Sequence, residues 1–179
     1  MLTVCAVTGH RPMRFRFKYD ERHTDCKRLK KRIRDQCMEL YQKGVRQFWT
    51  GGAMGVDMWA GEILLRLKET PQYQELQLFM AIPFQGHDAD WDERSRSRLQ
   101  FLLTHCDGNM ILGTASRISE SYRRRNHYMV DRADILLAVY DQESKARSGT
   151  GMTVRYAARQ GKPIIFIHPD NGQLSSCNW

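Results

Sequence analysis

Short apolar runs alternate with helical patterns along nearly the whole chain, and this alternation constrains the fold more than any other feature. Strand-like runs are predicted at residues 2–7, 45–49, 76–82, 109–112, 135–140 and 163–167. A helix is predicted over residues 21–43, where Cys26, Leu29, Ile33, Cys37, Leu40 and Tyr41 recur on one face and Lys and Arg crowd the other. Val56, Trp59, Ala60, Ile63, Leu64 and Leu67 give a second helical stripe, ending near Pro71. Further helices are predicted at residues 90–105, 120–132 and 152–160. Strands that alternate with helices imply parallel crossovers, so the expected class is α/β, a mostly parallel sheet with helices on both faces.

With 179 residues the chain is long enough for one domain with a sizeable core, expected over residues 1–169. Residues 170–179 are polar and are expected to be loosely held. Twenty-eight basic against 20 acidic residues leave a net charge of +8, which asks for an anionic partner or solvent exposure. Cys5, Cys26, Cys37, Cys106 and Cys177 are odd in number and form no CxxC pair, which argues against a disulfide framework or a zinc site and for a reducing cytoplasm. No apolar run approaches the roughly 20 residues that span a bilayer, and the first residues are too short for a signal-peptide core. A soluble cytoplasmic protein without membrane contact is expected.

Three glycine-containing turns follow predicted strands: Thr8-Gly9-His10-Arg11, then Gly51-Gly52-Ala53-Met54-Gly55-Val56-Asp57, and Ser148-Gly149-Thr150-Gly151. Glycine lets backbone approach a ligand closely, and the helix behind offers unpaired N–H groups and the positive end of its dipole. In open α/β sheets ligands lie outside the carboxyl ends of the strands, which is where all three turns fall. The common location predicts a phosphate-bearing ligand. Asp57 is either a contact to a ribose hydroxyl or an acid favoured by the first turn of its helix. Phe84 and Trp91 either stack on a base or belong to the core. Asp88, Asp90 and Asp92 lack the following glycine and the twelfth-position glutamate of a calcium loop, and the six histidines form no HExxH pattern, so no metal and no cofactor is expected.

With these turns in order, the chain resembles the SLOG superfamily of SMF/DprA and LOG proteins, within it the small bacterial YpsA-like branch. The resemblance is carried by Thr8 to Pro12, Gly51 to Asp57, Ile82-Pro83-Phe84 followed by Trp91, Arg125-Asn126 through Ala133-Asp134, and Ser148-Gly149-Thr150 through Gly161-Lys162-Pro163. It implies a Rossmann-like sheet that binds a nucleotide or nucleotide derivative, such as an ADP-ribose or dinucleotide, with Pro83, Phe84, Arg125, Asn126 and Thr153 added to the site. It also implies self-association. In the LOG phosphoribohydrolases an Arg-Lys-x-x-Met run leads into Ala-Asp, and Arg125 to Met129 leads into Ala133-Asp134 at the same spacing. Those enzymes place a catalytic glutamate three residues after the Gly-Thr pair, where this chain has Thr153. A hydroxyl cannot serve as the acid–base carboxylate or stabilise an oxocarbenium-like charge. The Gly-Thr-x-x-Thr form is closer to the DprA-like pattern, which binds rather than cleaves.

Three functions follow. The first is a sensor or sequestering protein for a nucleotide derivative. The second is N-glycosidic cleavage of a nucleoside monophosphate, with Arg125 and either Glu120 or Asp57 in catalytic roles. The third is DprA-like binding of single-stranded DNA, for which Arg14-Phe15-Arg16-Phe17-Lys18-Tyr19 would form an extended basic and aromatic arm.

Overall fold

The computed structural model describes residues 1–142 and 147–178. Seven strands pair in a single sheet: β1 (Val4–Gly9), β2 (Gln47–Thr50), β3 (Gln77–Ile82), β4 (Gly108–Ile111), β5 (Ile135–Val139), β6 (Ile164–Ile167) and β7 (Leu174–Cys177). Their order across the sheet is β4-β3-β2-β1-β5-β6-β7, and every pairing is parallel except β6 with β7. Five helices join them: α1 (Thr24–Gln42), α2 (Val56–Lys68), α3 (Glu93–His105), α4 (Ile118–Arg132) and α5 (Gly149–Arg159). The chain winds outward from β1 to β4, then returns to place β5 on the other side of β1. The order of strands therefore reverses between β1 and β5, and this reversal opens a crevice above their carboxyl ends.

Alternation along each strand divides the core. Cys5 and Val7 of β1, Phe48 of β2 and Leu78 and Met80 of β3 face α1, α2 and α3, where they meet Leu29, Ile33, Trp59, Leu64, Leu99 and Leu102. Ala6, Trp49, Ala81, Leu136 and Ala138 face the opposite way, against Met129 and Val130 of α4 and Val154 and Ala157 of α5. All of β5 is buried, as expected of a central parallel strand covered on both sides.

Two expectations are corrected. The residues after Asp170 are not a loose tail: Leu174–Cys177 pair antiparallel with Ile164–Ile167, and the amide of His168 donates to the carbonyl of Gln173 at 2.8 Å to close the turn. The segment from Arg14 to Tyr19 is not an extended arm either. Two of its three rings turn inward: Phe15 and Phe17, 2% and 7% exposed, stack at 4.9 Å and pack on Trp59, while Tyr19 stays exposed. Successive turn bonds from Lys18 to Phe15, Asp20 to Phe17 and His23 to Asp20 coil the segment, so α1 begins at Thr24, later than residue 21.

A charged cluster holds this coil to the helices. Arg98 on α3 donates to Glu62 on α2 at 2.7 and 2.8 Å and to Glu21 at 2.6 Å, while Lys30 on α1 also contacts Glu21. Burial pushes the Glu21 carboxyl up, but its bonds from Arg98 and Lys30 outweigh that and hold it down at about 2. A carboxylate whose folded value lies below its ordinary one stabilises the fold above the ordinary value and loses that contribution as pH falls towards the folded value. Wild-type protein is therefore expected to lose about 1–2 kcal/mol between pH 4.5 and 2 through this group, a figure reduced for its solvent screening. Urea unfolding across that range should show a shallower loss in Glu21→Gln. Equal slopes would refute the assignment.

Candidate functional site

The crevice at the strand reversal is a cleft of about 470 Å³. Thr8, Gly9, His10 and Arg11, at the end of β1 and the turn behind it, form one wall. Ala53 and Asp57 contribute from the turn before α2, and Arg125 and Asn126 from α4. Ser148, Gly149 and Thr150 close it at the start of α5. The three glycine-containing turns thus converge on one space, although they are far apart in sequence.

Local chemistry fixes each wall. The amide of Val56 donates to the carbonyl of His10 at 3.3 Å, tying the first turn to the start of α2. Gly55 has φ +90°, and a Cβ there would lie 2.5 Å from the His10 carbonyl oxygen, so glycine is required for the two turns to meet. The Ser148 hydroxyl caps α5 by accepting from the amide of Gly151 at 3.0 Å. A helix leaves its first amides without acceptors of its own, and those of α5 begin at Gly149.

Arg125 and Asp57 form a buried pair at the base of the cleft. The Arg125 Nη1 donates to the carbonyl of Gly51 and to Asp57 Oδ2, the latter at 3.2 Å, and Asp57 Oδ2 also accepts from the amide of Ala53 at 3.2 Å. Burial pushes the Asp57 carboxyl up, opposed by Arg125, the Ala53 amide and Arg11; burial likewise pushes Arg125 down, opposed by Asp57. His10 is lowered to about 4, chiefly by burial and then by Arg14, so it is neutral at pH 7. His10 Nε2 and Arg125 Nε are buried with no hydrogen-bond partner among the described residues. Such orphans are rare in folded proteins and cost about 1–3 kcal/mol each, and an ordered water or a ligand is a common partner for them.

Several expected residues do not line the cleft. Gly51 lies behind Arg125, and its role is to leave room: a Cβ there would sit 1.6 Å from Arg125 Nη1. Gly52, at φ +69°, faces the core, where a Cβ would come within 2.7 Å of Ile82 Cδ1, so it serves the turn rather than a ligand. Gly55 and Pro83 are outside the lining as well. Phe84, 8% exposed, sits edge-on to Tyr122 at 5.9 Å, and Trp91 packs on His87 further away. Thr153 is 1% exposed and its hydroxyl donates back to the carbonyl of Gly149 at 3.0 Å. Glu120 pairs with Arg117 at 3.3 Å away from the cleft. Asp134 is structural, its carboxylate accepting from the amides of Thr3 and Val4 at 2.7 and 2.9 Å.

Three lining residues were not foreseen: Arg14, Tyr122 and Arg147. Arg14, assigned to the arm, instead reaches back to Asp141 at 3.4 Å and Asp170 at 3.5 Å. Tyr122 is spaced three residues before Arg125 on α4, a spacing that places both on one helix face. Among the described residues the lining therefore carries four arginines, Arg11, Arg14, Arg125 and Arg147, and one carboxylate, Asp57. Among the described residues no group of three or more His, Cys, Asp or Glu is arranged to hold a metal, and no helix is long and apolar enough to cross a membrane.

A parallel sheet with its order reversed beside β1, covered on both faces and bearing a cleft at that point, makes this a Rossmann-like α/β protein. Comparison with known proteins gives the family: the chain belongs to the YspA SLOG family (YpsA), whose model matches residues 5–172. A UPF0398 protein of Bacillus thuringiensis (strain Al Hakam) is 29% identical over 169 residues, covering 93% of this chain and 88% of its own. A UPF0398 protein of Bacillus cereus (strain AH187) matches to the same extent. Among solved structures, DNA processing protein A (DprA) from Streptococcus pneumoniae shares the fold at a TM-score of 0.58 and 17% identity, over 93% of this chain and 50% of that one. DprA from Helicobacter pylori, described with a single-stranded DNA binding mode, gives a TM-score of 0.55 and 19% identity over 95% of this chain and 69% of its own. The chain thus spans half the length of the S. pneumoniae protein.

Proposed function

We propose that the cleft binds a small nucleotide derivative, of the ADP-ribose or dinucleotide type, and that the protein senses or sequesters it in the cytoplasm. The observation that carries this reading is the charge of the lining: among the described residues it holds four arginines and one carboxylate, with Arg125 paired to Asp57 and Arg14 to Asp141 and Asp170. The start of α5 adds amides and a positive dipole end, which favour a phosphate. The cleft volume falls within the roughly 300–1,000 Å³ usual for ligand sites. Five free cysteines suit a reducing compartment. An extended path for a single strand is less well served, because Phe15 and Phe17 are buried and cannot stack on bases.

Thermal unfolding with AMP, GMP, ADP-ribose and dinucleotides tests the reading. A ligand at about 100 times its dissociation constant adds about 2.7 kcal/mol, or roughly 5–10 °C for a chain of this size. Arg11 forms no ion pair among the described residues, so Arg11→Ala is expected to leave the unliganded melting point unchanged and to cut the shift sharply. A flat response to the whole panel would refute the proposal. Sedimentation with and without the ligand that gives the largest shift tests the accompanying expectation of a homo-oligomer.

A further inference from the structure

Among the described residues that line the cleft, Tyr122 presents the one phenol ring, and it is half-buried. Its neighbours hold it in a fixed attitude. The ring of Phe84 meets it at 90° with centroids 5.9 Å apart, and Phe84 is held in turn by His87, whose ring nitrogen lies 3.2 Å from the Gly52 carbonyl. Two guanidinium groups lie by the same ring: Arg11 at 5.3 Å and Arg125 at 5.5 Å from its centroid. Arg125 is fixed by Gly51 and Asp57, whereas Arg11 makes no ion pair within 4 Å among the described residues, acts on Asp57 only through its charge, and lies over the ring. A rigid, half-buried π-face that already accepts a planar cation is also a face for a planar nucleobase.

We infer that Tyr122 is the residue that recognises the base of the ligand, stacking on it and so selecting base-bearing nucleotides over sugar phosphates. The inference rests on the nucleotide reading of the cleft and assigns a division of labour within it. The arginines and the start of α5 take the phosphate, which is common to both kinds of ligand. Tyr122 takes the base, which only one kind possesses. Stacking is tolerant of base identity because every base has a π-face, so discrimination should fall between nucleotide and sugar phosphate more than between purines.

The test compares AMP with ribose 5-phosphate by calorimetry on the full chain. Wild type is expected to bind AMP at least 10-fold tighter than ribose 5-phosphate. Tyr122→Leu keeps an apolar side chain against Phe84 but removes the π-face, and it should weaken AMP by about 5- to 150-fold with ribose 5-phosphate unchanged. Tyr122→Phe should restore AMP binding. Arg11→Ala should weaken both probes. Equal affinity for the two probes in wild type, or a loss in Tyr122→Leu that strikes both alike, overturns the role of Tyr122 and leaves the phosphate cleft standing. Silence towards both probes and towards the wider nucleotide panel overturns the cleft reading and this inference with it.

Discussion

Replacing Arg125 with Met is expected to destabilise the protein by about 3–5 kcal/mol, the cost of stranding one member of a buried ion pair. For a chain of this length that is a fall in melting temperature of roughly 6–20 °C. The cost arises because Asp57 is as buried as its partner: each side chain is 7% exposed, and the remaining Ala53 amide does not replace the charge of the guanidinium. The double variant Arg125→Met with Asp57→Asn should recover at least half of the loss, since Asn still accepts from Ala53 and no buried charge remains. Gly51→Ala should resemble Arg125→Met, because its Cβ would occupy the position of Nη1. Denaturant unfolding of wild type, Arg125→Met, Asp57→Asn and the double variant forms a double-mutant cycle, with Gly51→Ala as an added arm. Costs that simply add in the double variant, or a loss below about 1 kcal/mol in Arg125→Met, would show that the pair is not coupled as the geometry requires.

The same pair shows what was legible in the sequence. Strand and helix periods fix the alternation of elements, and the three strand-end turns locate the cleft, because a ligand site in such a sheet has only one face on which to lie. Arg125 was found by its spacing to Ala133 and Asp134, yet its contact with Asp57 spans 68 residues and no local pattern carries it. Arg14 was misplaced for the same reason. Alternating rings and charges read as an exposed stripe, while the structure buries Phe15 and Phe17 on Trp59 and sends the charge of Arg14 127 residues along the chain to Asp141. β7 was invisible for another reason. Its residues are largely exposed, and backbone pairing with β6 holds them, so no side-chain alternation marks the strand. Tyr122 leaves only a trace, its three-residue spacing to Arg125, which puts both on one face of α4.

Incubation with AMP or GMP is expected to release free base no faster than buffer alone. Cleavage of an N-glycosidic bond needs a carboxylate near the anomeric carbon, to stabilise the oxocarbenium-like charge and to activate water. Three positions are where it would be sought. Thr153 has no carboxylate, and its hydroxyl is turned into the first turn of α5 by the bond to Gly149. Glu120 stands outside the cleft with Arg117. Asp57 is inside, but its Oδ2 is shared between Arg125 and the Ala53 amide, which suits an anchor for the turn better than a group that must meet water. Enzymes accelerate their reactions by about 10⁶-fold or more, so even a poor hydrolase would stand clear of background in a chromatographic assay for adenine or guanine. Base release above background, abolished by Asp57→Asn in a variant that still melts cooperatively, would make Asp57 the catalytic carboxylate and this protein an enzyme. The reason for expecting no release is definite: among the described residues the cleft lining holds one carboxylate, Asp57, and its Oδ2 is already engaged by Arg125 and the Ala53 amide.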